Sequence, residues 1–142
     1  MTPEEMKAAL VKMNDDAWHK RDLDAAYAIY SDDIVFQRIP FPPVVGKEAN
    51  KQADAGTLAA FTETHSVIDD MIVEGDTGVL RWTWEAVHSG TSASLGIPAT
   101  GKRVHAVGCS VYRFRDGKIV EQWEYADWLG LLQQLGVIPA LG

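Results

Sequence analysis

The sequence contains a single cysteine, Cys109, and so cannot form a disulfide within the chain. A lone cysteine is typical of proteins from a reducing compartment. The chain also lacks a run of about 18 apolar residues, the length that a membrane-spanning helix needs. Its N-terminal MTPEEMK is acidic, whereas a secretory signal peptide begins with a basic segment. We therefore expect a cytoplasmic protein without a membrane partner.

Basic residues are few and dispersed, with 13 Lys and Arg against 20 Asp and Glu and a net charge of −7. Because phosphate binding needs clustered basic side chains, we expect no nucleic-acid partner. His, Cys, Asp and Glu do not recur at metal-ligand spacing, and so no metal site is predicted. A GxSxG motif and a phosphate loop are also missing, which argues against acyl-enzyme and nucleotide chemistry.

The composition of the chain is that of an ordinary globular protein. Hydrophobic residues make up 46% and charged residues 23% of its 142 residues. A chain of this length is typically one domain with a proper core, and we expect a single domain over residues 1–142.

The N-terminal half is predicted to be mostly helical. Thr2 to Glu5 form a capping box with proline at the first turn, and apolar residues recur at helical spacing at Met6, Leu10, Met13 and Ala17. Asp22 is a second N-cap. A short strand over 34–39 follows, and a third helix is predicted over 47–64, with an inner stripe of Ala49, Ala53 and Ala60.

From residue 66 onward the pattern changes to strands, predicted over 67–74, 79–88, 103–114 and 119–127. The loop Ser89 to Gly101 between the second and third of these is long enough to suggest a functional lip. Helices followed by an antiparallel meander indicate an α+β fold. We expect a cone-shaped half-open barrel, in which a curved antiparallel sheet wraps around three N-terminal helices and a short C-terminal helix closes the pocket.

The last two strands are joined by Asp116-Gly117, a dipeptide typical of two-residue hairpin turns. In the register that the hydrophobic pattern favours, Trp123, Tyr125 and Asp127 share a face with the small residues opposite them, namely Ala106, Gly108 and Ser110. Small residues opposite aromatics leave room for a ligand. Asp127, a carboxylate beside aromatic surface, is then the first candidate for a general acid or base.

A second register remains open for this hairpin. A bulge at Gly117 would shift the pairing by one residue and turn Gln122 and Glu124 to the inner face, which makes Glu124 the reserve acid. Asp127 also has a structural interpretation, because Asp is a favoured N-cap and a helix follows it.

Three segments carry a resemblance to a known family: PATGK, YRFRDGKIVEQW and ADWLGLLQQLG. They lie in the stretch that begins at HSGTSASLGIPATGK. This stretch resembles the C-terminal half of SnoaL-like polyketide cyclases, which belong to the nuclear-transport-factor-type superfamily. This resemblance implies an intramolecular aldol closure without metal or cofactor, in which one Asp moves the proton. By motif, that position is Asp127. Dimers through the sheet face are usual in the resembled family, which implies a homodimer through the outer sheet face.

The segment FQRIPFPPVVGK is similar to limonene epoxide hydrolase, whose chemistry uses an acid–Arg–acid arrangement. The positions in this chain that best match that family's Arg and Asp are occupied by Trp84 and Ala86. The positions of its polar Tyr and Asn are occupied by Phe36 and Arg38. These departures argue against epoxide hydrolysis by the same residues.

Several further residues are candidates for binding a substrate or ligand. Five tryptophans in the chain are enough to line a flat hydrophobic slot. Arg38, if turned inward, needs a carboxylate and could hold a substrate carbonyl. His88 is either a pocket residue or an exposed loop histidine. The substrate-binding candidates are Trp18, Phe36, Arg38, Trp82, Trp84, His88, Gly108, Trp123 and Tyr125.

Together these features favour a cofactor-independent cyclase- or isomerase-like enzyme for a small hydrophobic carbonyl compound. The first alternative is a non-catalytic binder of apolar molecules in the same pocket, and the second is an epoxide hydrolase. Fold alone does not choose between these functions.

Overall fold

A computed structural model describes residues 1–140. In chain order the elements are α1 (Pro3–Trp18), α2 (Leu23–Ala26) with a following 3₁₀ turn (Tyr27–Ile29), β1 (Tyr30–Ile39), β2 (Val44–Val45), α3 (Lys47–Ala60), β3 (Phe61–Glu74), β4 (Thr77–His88), β5 (Arg103–Arg115), β6 (Lys118–Ala126) and α4 (Trp128–Gln134). The predicted α+β class, with three N-terminal helices and a short C-terminal one, is confirmed.

The six strands form one curved, unclosed sheet in the order β2-β1-β6-β5-β4-β3. All neighbouring pairs are antiparallel except β1 and β6, which run parallel. The meander from β3 to β6 gives the sheet its length, and the β1–β6 pairing brings the N-terminal half against its last strand. Residues of β1, β5 and β6 therefore meet on one concave face.

The helix starts follow their capping signals. Thr2 accepts from the Glu5 amide at 3.1 Å, and the Glu5 carboxylate accepts from the Thr2 amide at 3.0 Å, which completes the predicted capping box. Asp22 caps α2 through the Ala25 amide. All four residues of the predicted stripe on α1 are buried, as expected for a helix that packs one face on a sheet.

Helix α3 differs from its prediction at the C-terminal end and in its inner face. It stops at Ala60, and Phe61 begins β3, because the aromatic and β-branched residues that follow favour a strand. Its buried face includes Asn50 and Leu58, with the half-buried Asp54 between them, whereas Ala49 is exposed. Of the predicted small-residue stripe, Ala60 is buried and Ala53 is partly buried, so the prediction is wrong for Ala49.

Apolar side chains form two core clusters. The first joins α1 and α2 to the sheet and contains Met6, Leu10, Met13, Ala17, Ala26, Tyr27, Tyr30, Ile34, Leu80, Tyr112, Phe114 and Ile119. The second joins α4 and the 89–102 loop to the sheet and contains Ala60, Phe61, Trp84, Ala86, Ile97, Val104, Ala106, Leu131 and Leu135. Trp18 and Trp82 pack against both clusters.

The register of the β5–β6 hairpin corrects the favoured prediction. The Asp116-Gly117 turn is present, with both residues at positive φ and Arg115 opposite Lys118. Phe114 then faces Ile119 while Arg113 faces Glu121, so that Val120 is an extra residue in β6 and forms a bulge. Beyond this bulge every side chain of β6 lies on the opposite face from that expected.

As a result, Ser110 faces Glu124, and Tyr112 faces Gln122. The inner face therefore carries Glu124, as in the alternative register, although the bulge is at Val120 and not at Gly117. The hydrophobic pattern predicted the wrong face because it treated Trp123 and Tyr125 as core residues, whereas their amphipathic side chains tolerate the surface. On the outer face the Arg113 guanidinium lies 5.5 Å from the centroid of the Trp123 ring.

Candidate functional site

The inner face of the sheet carries a group of polar side chains that we name the interior polar cluster: Tyr27, Arg38, Asp54 and Glu124. Arg38 comes from β1, Glu124 from β6 and Asp54 from α3. The parallel β1–β6 pairing places Arg38 directly beside Glu124, and packing of α3 on β1 brings Asp54 to them. A cation and two carboxylates thus meet on the concave side.

Arg38 is held from two directions. Its Nη1 lies 2.7 Å from Asp54 Oδ1, and its Cζ lies 4.1 Å from the centroid of the Phe36 ring. The side chains of Arg38 and Asp54 are each 16% exposed. Burial lowers the pKa of Arg38, but the carboxylates of Asp54 and Glu124 outweigh it and raise the pKa above its ordinary value. The guanidinium is therefore a permanent positive charge in a partly dry site.

Asp54 uses both carboxylate oxygens. Oδ1 pairs with Arg38, and Oδ2 accepts a hydrogen bond of 2.5 Å from the Tyr27 hydroxyl. Burial, followed by the charge of Asp54, raises the pKa of Tyr27, so that this hydroxyl keeps its proton and donates. Asp54 is consequently a fixed counterion that orients Arg38.

Glu124 is the carboxyl group of the cluster that has no such fixed partner. Within residues 1–140 Arg38 forms its ion pair with Asp54 and not with Glu124. Burial raises the pKa of Glu124, Arg38 opposes that rise, and Asp54 adds to it. A carboxyl group with a raised pKa beside a fixed cation is a candidate for a general acid–base.

Small and aromatic residues complement each other beside the cluster, but the aromatic residue is Trp82 of β4 and not, as the sequence predicted, Trp123 or Tyr125 of β6. The Trp82 indole donates from Nε1 to Ser110 Oγ at 3.0 Å. Gly108 leaves the space that this ring fills, because a Cβ at Gly108 would lie 2.6 Å from the Trp82 ring. Trp84 is buried and makes edge contacts with Trp18 and Phe61 at 5.7 and 5.1 Å. Its Nε1 has no partner among the described residues.

His88 is fully buried, and its interpretation as an exposed loop histidine is wrong. Thr100 contacts its Nδ1 through both the hydroxyl, at 3.0 Å, and the backbone amide, at 3.3 Å. Since the amide N–H donates to Nδ1, the neutral ring carries its proton on Nε2, which lacks a partner in residues 1–140. Burial lowers the pKa of His88 and keeps the ring neutral.

The structure separates three other candidates from this face. Asp127 is exposed, and its Oδ1 accepts from the Gly130 amide at 2.9 Å as the N-cap of α4. Trp123 and Tyr125 project from the outer face, and Tyr125 is 50% exposed. The cause is the Val120 bulge, which places the reserve candidate Glu124 on the inner face instead.

Asp54, Tyr27, Gln122 and Ser110 were not among the predicted site residues. A signal for Asp54 did exist, because Asn50, Asp54 and Leu58 follow one another at four-residue spacing on a helix. An inward Arg38 needs a carboxylate, and Asp54 of α3 supplies it. Gln122 accepts a buried hydrogen bond of 2.6 Å from the Tyr30 hydroxyl, a pairing that the wrong register concealed.

Two depressions of the surface lie outside the concave face. One, of about 440 Å³, is lined by residues of α2 and α3 such as Asp24 and Leu58. The other, of about 590 Å³, lies between α1 and β3 and is lined by residues such as Val11 and Ile68. Neither includes a residue of the interior polar cluster, and a hydrophobic pocket above that cluster stays a prediction.

Residues 1–140 contain no group of three or more His, Cys, Asp and Glu side chains arranged to hold a metal ion. None of the helices in this range is long and apolar enough to cross a membrane.

Comparison with known proteins agrees with the fold. The profile of the SnoaL-like polyketide cyclase family matches residues 8–135, whereas no curated protein sequence matches the chain significantly. AclR of Streptomyces galilaeus, provisionally named a hydroxylase, is 31% identical, with a TM-score of 0.86 over 99% of this chain and 87% of that one.

Two solved structures of lower identity show the same fold. A protein of Jannaschia sp. CCS1, provisionally named a SnoaL-like polyketide cyclase, is 19% identical, with a TM-score of 0.87 over 98% of each chain. A Catenulispora acidiphila DSM 44928 protein with a ketosteroid isomerase-like fold is 17% identical, with a TM-score of 0.76 over 97% of this chain and 96% of that one. Since the family profile spans nearly all of the described residues, the chain belongs to the SnoaL-like polyketide cyclase family.

Proposed function

We propose that this protein is a cofactor-independent, cyclase-like enzyme that removes a proton next to a carbonyl group of a small hydrophobic compound. The single observation that carries the proposal is the arrangement of Glu124, with its raised pKa, beside the fixed guanidinium of Arg38. Family membership supports it, because the family is named for polyketide cyclases.

Each step uses residues of the interior polar cluster. The ionised Glu124 carboxylate takes the proton from the carbon next to the carbonyl, and the electron pair of the C–H bond moves to form an enolate. The enolate oxygen is stabilised by N–H groups of Arg38. The enolate carbon then forms a bond to a second carbonyl of the same molecule, and the resulting alkoxide recovers the proton from Glu124. Atoms and charge balance without a metal or redox partner.

The aromatic residues of the concave face have a supporting role in this proposal. Trp18 and Trp82, which are only partly buried, provide flat apolar surface for a ring-shaped substrate, whereas Phe36 and Trp84 are buried. Exclusion of water strengthens the interaction of Arg38 with a developing negative charge. The 89–102 loop and α4 cover the second core cluster and form the rim of the site.

A suitable test measures solvent deuterium exchange at the acidic carbon of 2-tetralone, a small bicyclic ketone, by NMR. The wild-type protein should accelerate exchange. Glu124→Gln should lower the accelerated rate by about 10²- to 10⁴-fold, the usual contribution of a general base, while circular dichroism and 2-tetralone affinity stay unchanged. Asp127→Asn, which keeps a capping side chain, is the matched control and should retain wild-type exchange.

Two results would contradict the proposal. Binding of 2-tetralone without any acceleration by the wild-type protein favours the non-catalytic binder. Loss of exchange in Asp127→Asn, with Glu124→Gln fully active, would return the acid–base role to Asp127.

Epoxide hydrolysis is a second candidate, favoured by one observation. The carboxylates of Asp54 and Glu124 both interact with Arg38, which is an acid–Arg–acid arrangement built from residues other than those that the resemblance indicated. Both oxygens of Asp54 already have a partner, Arg38 and Tyr27, which leaves Glu124 as the carboxyl group better placed to act on an epoxide. Hydrolysis of limonene oxide by the wild-type protein, lost in Glu124→Gln, would establish this activity instead.

A further inference from the structure

The side chain of His88, which the proposed reaction does not use, joins the end of β4 to the end of the 89–102 loop. Its ring is fully buried and lies against Phe61 of β3, with 5.0 Å between the two ring centroids. Nδ1 contacts the Thr100 hydroxyl at 3.0 Å and accepts from the Thr100 amide at 3.3 Å. An imidazole thus holds the last residues of the loop.

The backbone of the loop is anchored close to its two ends. At its start, two loop amides donate to the carbonyl oxygen of Ala60, and at its end the Gly101 amide donates to the carbonyl oxygen of His88 at 2.8 Å. Between these anchors Ile97 is buried in the second core cluster. The contacts of Thr100 with the imidazole therefore help to keep Ile97 and its neighbours on the core.

These contacts require a neutral ring. A backbone amide can only donate, and so Nδ1 must carry no proton when it accepts from Thr100. The Thr100 hydroxyl could reverse its role and accept from a protonated Nδ1, but the amide N–H would then face another N–H at 3.3 Å. Protonation of His88 in the closed structure therefore removes one hydrogen bond and buries a charge, and both effects are unfavourable.

The surroundings of the ring do not offer a buried counterion for that charge. The 89–101 segment, residues 55–60 of α3 and helix α4 contain no charged or titratable residue. Arg21, which donates to the Phe61 carbonyl oxygen at 3.1 Å, adds positive charge on this side. The charged and titratable residues on the adjoining parts of β3, β4 and β5 are all exposed: Glu63, His65, Glu85, Lys102, Arg103 and His105.

We propose that His88 is a pH-sensitive latch, which keeps the 89–102 loop closed while its ring is neutral and releases residues 92–100 when the ring is protonated. In the open form the ring reaches water, and a positive charge on it is then solvated. Release of this segment withdraws Ile97 from the second core cluster and opens the rim beside the concave face. Acid thus favours access to the interior of the sheet.

The latch is separate from the interior polar cluster and does not depend on the proposed role of Glu124. Glu124 faces Ser110 across the β5–β6 pair, whereas the His88 amide donates to the carbonyl oxygen of Lys102. Eight residues of extended chain between Lys102 and Ser110 span about 26 Å. Titration of one group therefore leaves the charge close to the other unchanged.

The direction of the pH dependence follows from burial. In the closed form, burial lowers the pKa of His88 below its ordinary value of 6.5, whereas the exposed ring of the open form keeps that value. The stability that the closed form gains from the neutral ring is fully present above the ordinary pKa. It is lost as pH falls from that value through the lowered pKa. Because an ordinary histidine is mostly protonated at about pH 5.5, opening should be favoured about tenfold there relative to about pH 7.5.

The test is hydrogen exchange of the Thr100 amide, measured by NMR and divided by the rate of an unfolded peptide at the same pH. In the wild-type protein this ratio should rise about tenfold between about pH 7.5 and about pH 5.5. The ratio for the Leu10 amide, which lies within α1, should not change, since the rest of the fold stays closed.

His88→Asn removes the titration and keeps an acceptor, because the Asn Oδ1 lies close to the position of Nδ1 and can accept from the Thr100 amide. Exchange at Thr100 in this variant should be independent of pH. His105→Asn is the matched control, since His105 is exposed on β5, and it should keep the tenfold rise.

Three results would overturn the latch. The first is a wild-type Thr100 ratio that stays constant over this pH range, which does not depend on any variant. The second is an equal rise at Leu10, which would mean that acid loosens the whole fold. The third is the same rise in His88→Asn as in the wild-type protein, which would assign the pH dependence to another group.

Discussion

Arg38 on β1 and Asp54 on α3 form an ion pair of 2.7 Å on the concave side of the sheet. This contact fixes the direction of the guanidinium and leaves its other edge open beside Glu124. A helix thus supplies the counterion, and the neighbouring strand supplies the titratable group. In the proposed mechanism, this division lets one cation serve both a structural carboxylate and the reacting molecule.

Removal of the Asp54 carboxylate should destabilise the protein strongly. Asp54→Ala leaves the Arg38 charge and the Tyr27 hydroxyl without their partner, and loss of one member of a buried pair costs about 3 kcal/mol. Urea denaturation followed by circular dichroism measures this change. Asp24→Ala is the control, since Asp24 is 87% exposed in its ion pair with Lys51 and should change stability little. Equal effects of the two variants would contradict a structural role for the Arg38–Asp54 pair.

Asp127 should contribute to stability and not to turnover. Asp127→Ala removes the acceptor of the Gly130 amide at the start of α4, and loss of an N-cap costs about 1 kcal/mol. Asp127→Ser keeps a capping oxygen and should restore most of that stability. Thermal denaturation and the exchange assay, applied to both variants, check this. A stable Asp127→Ser protein without exchange activity would show that the carboxylate itself takes part in the reaction.

The pH dependence of stability should reveal the raised pKa of Glu124. Burial raises this pKa above its ordinary value of 4.5, so that the folded protein binds the proton more tightly than the unfolded chain does. The contribution of Glu124 to stability is therefore fully present below the ordinary pKa. It is lost as pH rises from that value through the raised pKa.

Glu124→Gln does not titrate at this position. Its free energy of unfolding should therefore gain on that of the wild-type protein as pH rises through the same interval, and the difference should level off above it. Urea denaturation of both proteins from about pH 4 to about pH 8 measures this difference. A difference that is constant over the whole range would mean that folding does not raise the pKa of Glu124.

The fold could be predicted because its signals are local. The capping box at Thr2, the four-residue spacing on α1 and the Asp116-Gly117 turn each depend on residues close in sequence, and each is present in the structure. The resemblance of the C-terminal motifs to a family pointed to the same architecture. The predicted fold class and family are thus confirmed.

The site was harder to predict because it depends on one inserted residue and on distant contacts. Val120 reverses the faces of the following residues of β6, and no feature of its side chain distinguishes a bulge from a regular strand position. Because side chains on a strand alternate between its two faces, this shift of one residue places Glu124, and not Asp127, on the inner face. Asp54 reaches Arg38 only through the packing of α3 on β1, which periodicity within a helix does not indicate.

Gly108 should be intolerant of a larger side chain. A Cβ there would lie 2.5 Å from the Tyr125 carbonyl oxygen and 2.6 Å from the Trp82 ring, and Gly108→Ala should cost about 1–3 kcal/mol through overpacking. Gly56→Ala is the matched control, because Gly56 lies within α3 with nothing within 4 Å of the added Cβ. It should stabilise the protein by about 0.5–1 kcal/mol. A stable Gly108→Ala protein would show that the Trp82 ring can move away from β5.

We propose, finally, that the protein forms a homodimer through the outer face of the sheet. Three partly exposed apolar residues lie there: Val67 on β3 at 44%, Val107 on β5 at 46% and Tyr125 on β6 at 50% exposure, with Thr83 of β4 between Val67 and Val107. Several exposed apolar residues on one sheet face are typical of an interface, and the resemblance to the cyclases implied this surface. Sedimentation equilibrium of the wild-type protein should give the mass of a dimer.

Val107→Lys places a charge at the centre of that surface and should shift the equilibrium to the monomer, because burying an unpaired charge is costly. Val11→Lys is the matched control. Val11 has a similar exposure of 48% but lies on α1, so its variant should remain dimeric. A monomeric wild-type protein, or dissociation by Val11→Lys and not by Val107→Lys, would exclude the outer sheet face as the dimer interface. Because the interior polar cluster lies on the opposite face of the sheet, a monomeric Val107→Lys protein should keep its proton-exchange activity.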